Sequence, residues 1–72
     1  MNNTPDQRKL LISKAVHAYQ ISNYQECIDH CKSALQLEND DYTKGILASA
    51  HKAAGDTETA IKIFEDLSLI HI

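Results

Sequence analysis

Seventy-two residues (8.1 kDa) suffice for one small domain over residues 1–72 and exclude a second, because a stable core rarely forms from fewer than about 50 residues. Hydrophobic residues at 43% and charged residues at 24% are the proportions of a folding chain. Seven Lys or Arg against ten Asp or Glu leave a net charge of -3, the wrong sign for the counterion release that drives nucleic-acid affinity. No apolar run approaches the roughly 20 residues of a membrane span, and Met1–Asp6 lacks a basic-then-apolar leader layout. Two cysteines, Cys27 and Cys31, are too few for a disulfide framework. The expectation is a soluble cytoplasmic protein that binds neither nucleic acid nor membrane.

With two Gly, one Pro and no alternating β-branched run, the chain divides into helices joined by short turns. Thr4 as N-cap, Pro5 at the first helical position and Gln7 as the capping-box partner open a first helix, about Pro5 to Ile21. Leu11, Ala15 and Ala18 form its stripe, widened by Ile12 and Tyr19, and Arg8, Lys9 and Lys14 give it a basic side. After a turn at Ser22-Asn23, Asn23 caps a second helix with Glu26 as its reciprocal partner. Tyr24, Cys27, Ile28, Cys31, Ala34 and Leu35 recur along it at helical spacing.

The acidic break Glu38-Asn39-Asp40-Asp41 ends that helix and caps a third, about Asp41 to Ala54, whose stripe is Ile46, Leu47 and Ala50. Ala48-Ser49-Ala50 places small side chains where another helix can approach. Gly55 takes the left-handed position that closes the third helix, and Asp56 caps the fourth. Its core stripe is expected at Ala60, Ile61, Phe64 and Leu67.

Turns this short make neighbouring helices antiparallel, so the fold class is all-α, two helix hairpins. The halves also align: Ser22-Asn23-Tyr24-Gln25-Glu26-Cys27-Ile28 matches Gly55-Asp56-Thr57-Glu58-Thr59-Ala60-Ile61 at an offset of 33 residues. In the second half Leu47, Ala48 and His51 precede the pair Ala60 and Phe64, an Ala-x-x-x-Phe spacing. On these residues the chain resembles the tetratricopeptide (TPR) repeat family, over roughly Gln7 to Leu67, with one repeat at about 7–40 and the next at 41–72. It departs from the pattern at Lys44, at Leu67 and in lacking a closing Pro. In the first helix two registers fit, one with Lys14 and Ala15 at the Leu and small places, the other with Val16 at the small place and Tyr19 at the aromatic one. The resemblance implies a short right-handed superhelix.

Thiolates and imidazoles make zinc sites, so Cys27, His30 and Cys31, with His17, His51 and His71, are one candidate for a metal-binding or redox protein. Cys27 and Cys31, four apart on an apolar stripe, instead suit small core hydrophobes, and a disulfide within one helical turn is strained. No Gly-rich phosphate loop, nucleophile elbow or His-Glu-x-x-His run is present, and Asp40-Asp41 suits a cap with dipole charge. The sequence therefore predicts no enzyme, no metal and no cofactor.

Two surfaces remain. With Asp41 counted in the acidic break, which then carries -3, the first and third helices each carry a net charge of +2, and the fourth carries -3. In the TPR family the first helix of each hairpin lines a concave peptide-binding surface. The resemblance thus implies a basic groove for an acidic protein or peptide segment, with Lys9, Ile12, Val16, Lys44, Ser49 and Lys52 as contacts. Ile12 and Val16 stand near places where the family's carboxylate clamp needs Lys and Asn. The alternative is an assembly subunit or homodimer working through the apolar C-terminal helix, at Ile63, Phe64, Leu67 and Ile70.

Overall fold

The structure, a computed structural model, describes the backbone of residues 4–69 and the side chains of residues 6–67. Four helices are present: α1 (Thr4–Gln20), α2 (Tyr24–Leu37), α3 (Asp41–Ala53) and α4 (Thr57–Leu69). They form an all-α fold of two helical hairpins. α2 packs on both α1 and α3, α4 packs on α3, and α1 touches α3 along a narrower seam. The molecule measures 39 × 32 × 14 Å. Its thinnest dimension fits two helix layers, whose axes lie about 10 Å apart.

Both hairpins turn by the same device. Ser22, at φ 65°, and Gly55, at φ 98°, occupy the left-handed region just past α1 and α3. The Asn23 N–H donates to the Ala18 carbonyl at 2.7 Å and the Ser22 N–H to the Tyr19 carbonyl at 3.0 Å. Asp56 N–H to the His51 carbonyl, at 2.8 Å, and Gly55 N–H to the Lys52 carbonyl, at 3.0 Å, repeat the pattern. Each pair is a Schellman motif, which satisfies carbonyls that a helix end leaves open. The two motifs lie 33 residues apart. That common frame decides between the two registers of the first helix: Ala15 corresponds to Ala48, both fully buried, and Val16 is only half-buried.

The caps divide. Asp40 Oδ1 accepts from the Thr43 N–H at 2.6 Å, and Asp56 Oδ1 from the Thr59 N–H at 3.2 Å. At Asn23 no side-chain cap forms, contrary to expectation. Its backbone lies outside the extended region that aims a cap oxygen at the helix, and its own N–H is already held by Ala18. α1 begins at Thr4, one residue earlier than expected, which moves Thr4 from the cap into the helix.

Among the described residues six of the ten buried hydrophobics are alanine, and Cys27 and Cys31 are two more. Such small side chains let the helices approach closely, but they remove little apolar area from water. The larger apolar side chains Leu10, Ile21, Leu37, Ile61 and Phe64 remain substantially exposed. On α4 this corrects the expected stripe. Ala60 is buried and Ile63 packs against the core, whereas Ile61 is 50% exposed and Phe64 41%. Ile61 and Ile63 are both plausible core positions on a helix that is apolar over much of its circumference, and packing on α3 selects Ile63.

Candidate functional site: a concave face over α3

An open concavity of about 600 Å³ lies over the exposed side of α3. Gly45 and Ser49 supply small side chains along it, Val16 and Tyr19 of α1 border it, and Tyr42 and Phe64 add aromatic surface. α3 lies between α1 and α4, whose backbones do not approach each other closely among the described residues, so the hollow follows from helix order. A Cβ built on Gly45 meets nothing within 4 Å, which confirms that this side of α3 is open. Tyr19 is braced from outside the hollow by Tyr24, edge to face at 5.5 Å between ring centroids. Three of the chain's four aromatic residues thus line one surface.

The internal repeat explains why these positions converge. Shifted by 33 residues, Lys9, Ile12, Val16 and Tyr19 of α1 become Tyr42, Gly45, Ser49 and Lys52 of α3. Each set recurs at i, i+3, i+7 and i+10, one helical face.

Of the six expected groove residues, Val16 and Ser49 line the hollow, and Lys52 lies at one end of it beside Tyr19, Ser49 and Phe64. Lys9 and Ile12 share the α1 face but lie beyond the concavity. Lys44 is elsewhere. Its Nζ lies 3.3 Å from Asp66 Oδ2, and it borders a separate cleft with Leu35, Leu47 and Ile63. Arg8 is also engaged, binding Asp40 and lying 3.4 Å from Glu38 Oε1. The expected basic groove is corrected accordingly: Asp41 stands in the hollow and Lys52 at one end, while its centre is apolar and neutral. Counting charge by helix misses this because charges on one helix point in different directions.

The second expected surface also divides. Phe64 lines the hollow, Ile63 turns into the core, Leu67 is half-buried, and Ile70 lies outside the described residues. Sequence reasoning missed Tyr42, Gly45 and Tyr19 as site residues. Their common spacing at an offset of 33 was the available signal.

The cysteines occupy no such surface. Cys27 and Cys31 are free thiols with no exposure. Burial raises the Cys27 thiol, and burial followed by the adjacent Cys27 pushes Cys31 up to about 12. Among the described residues no three His, Cys, Asp or Glu side chains gather in a metal-binding arrangement, and His71 lies outside them. Also among the described residues, no helix is long and apolar enough to cross a membrane. Asp40 is tethered by both a backbone N–H and a guanidinium. Burial alone would raise it, but the Thr43 N–H and the Arg8 guanidinium outweigh that and hold it below the ordinary aspartate range.

In comparison with known proteins, the chain matches no family model, no curated protein and no solved structure.

Proposed function

We propose that the chain is a non-enzymatic protein-interaction module of tetratricopeptide type, acting in the cytoplasm and binding a partner segment in the hollow over α3. The carrying observation is the grouping of Tyr19, Tyr42 and Phe64 around the small residues Gly45 and Ser49. Exposed aromatics beside an unfilled concavity supply apolar contact area at low side-chain entropy cost. Asp41 and Lys52 give the hollow a polarity. They lie eleven residues apart on α3, about 16 Å along the helix, which about five extended residues span. The favoured ligand is a segment with a basic residue toward Asp41, an apolar or aromatic middle, and an acidic residue toward Lys52. Acidic character in the partner is retained at one end only.

The test is selection of a random peptide library on the immobilised chain, with Ser49→Lys as counter-selection. Enrichment of peptides of this polarity, lost on Ser49→Lys while helicity is unchanged, supports the reading. Enriched peptides that bind Ser49→Lys equally well overturn it.

A further inference from the structure

The two hairpins meet over small side chains. Among the described residues, only Ile28 and Leu47 of the buried apolar side chains are larger than cysteine. Short side chains make shallow ridges and grooves, so packing of this kind fixes the contact between helices more firmly than the angle at which they cross. Something else must hold that angle.

Arg8 is placed to do so. From α1 it reaches the link between the hairpins, where it binds Asp40, the N-cap of α3, and lies through Nε 3.4 Å from Glu38, the C-cap of α2. The Arg8 and Asp40 side chains are 22% and 21% exposed, so water and salt screen the pair only in part. Asp40 also accepts from the Thr43 N–H, which ties the guanidinium through one carboxylate to the first turn of α3. Among the described residues the other ion pairs, Lys44 with Asp66 and His51 with Asp56, stay within the second hairpin. Arg8 has no equivalent in the repeat. At the offset of 33 its place is taken by Asp41, so ordinary stacking of hairpins does not account for it.

We infer that Arg8 is the positioning residue of the hollow: its ion pair with Asp40 and Glu38 sets the angle between the hairpins, and with it the spacing of the hollow's two walls. Val16 and Tyr19 stand on α1 and Tyr42, Gly45 and Ser49 on α3, so a change in that angle moves one wall against the other. Asp41 and Tyr42 directly follow Asp40 in the chain, which puts the acidic end of the hollow nearest the clamp. A guanidinium fork holds two carboxylates in fixed directions, whereas the single ammonium of lysine controls direction less. A partly buried ion pair adds little net stability but selects one arrangement among several of similar packing. The link to ligand binding rests on the function proposed above; the angle itself does not.

The test is amide residual dipolar couplings of the isotope-labelled full chain, weakly aligned in an uncharged stretched gel, for the native protein and for Arg8→Gln. In the native protein one alignment tensor should fit all four helices. In Arg8→Gln each hairpin should still fit a tensor of its own, and the joint fit to the native helix orientations should be lost. Arg8→Lys should restore it in part. Gly55→Ala, which lowers stability without touching the clamp, should leave it unchanged. If Arg8→Gln does not fold, Glu38→Gln, on a side chain 66% exposed, removes one arm alone and should give a smaller change of the same kind. An intact joint fit in Arg8→Gln, or in Glu38→Gln in its place, overturns the inference. So does an equal loss in Gly55→Ala, which makes the change one of stability. A library-selected peptide with its charged residues replaced by neutral ones, so that the lost Arg8 charge does not itself count, should bind Arg8→Gln severalfold more weakly. Equal affinity despite a lost joint fit overturns the positioning role. A peptide that shifts no hollow residue of the native chain overturns the function proposed above, and the couplings still decide the angle.

Discussion

Ser22 and Gly55 hold the same place in the two hairpins, each the left-handed residue that lets the chain reverse after a helix. Only one of them is a glycine. An L-residue with a Cβ in this region costs roughly 1–2 kcal/mol, so the first hairpin carries strain that the second avoids.

Ser22→Gly should therefore stabilise the protein by about 0.5–1 kcal/mol, the relief of strain less the added freedom of the unfolded chain. Gly55→Ala should destabilise it by about 1–2 kcal/mol through φ alone, since a Cβ there meets nothing within 4 Å. Urea unfolding of the two variants measures both, and opposite signs are expected.

Gly45→Ala separates stability from binding. Gly45 lies in the interior of α3 with open space beside it, so alanine should stabilise by about 1 kcal/mol in thermal or urea unfolding. Because the added methyl enters the hollow, affinity for a peptide seated there should fall, measured by calorimetric titration.

Asp40 links pH to stability. Its folded carboxyl titrates below its unfolded value, so its contribution is complete above the unfolded pKa of about 3.9 and is lost as pH falls through the lower folded value. Asp56, held low by the Thr59 hydrogen bonds and then by His51, acts in the same direction. Acid unfolding should steepen below about pH 4. Asp40→Ala should lower neutral-pH stability by about 1–2 kcal/mol, through the lost cap and the unpaired Arg8, and flatten that acid limb.

The buried thiols give a kinetic reading of opening. With Cys27 and Cys31 enclosed and Cys31 raised to about 12, iodoacetamide at neutral pH should label the chain only through its unfolded population. Mass spectrometry across a urea series should show labelling rates that track the unfolded fraction.

Lys44 and Lys52, both on α3, should behave differently toward peptide. Lys44 is turned away from the hollow toward Asp66 and borders a separate cleft, so Lys44→Glu should change affinity less than about twofold. Lys52→Glu should weaken an acid-ended peptide severalfold, read by calorimetry at low salt.

The helices and turns were legible because caps and breakers are local chemistry: Asp40, Gly55 and Asp56 act within a few residues of themselves. The direction of a side chain was less so. Among the described residues α1 has one side that no other helix covers, so its apolar pattern is weak and two registers fitted until the Ser22 turn fixed one. On α4 both Ile61 and Ile63 satisfied helical spacing, and only contact with α3 distinguished them. The site was half legible for the same reason. Val16 and Ser49 followed from the repeat, but the place of Lys44 depended on an ion pair with a residue 22 positions away.

The central claim is that the hollow over α3 is the binding face. Chemical-shift mapping of a library-selected peptide on the full chain tests it most directly. The account predicts saturable shifts at Tyr42, Gly45, Ser49 and Tyr19. Shifts centred instead on Lys44, Lys62 and Asp66, in the separate cleft bordered by α3 and α4, would contradict it.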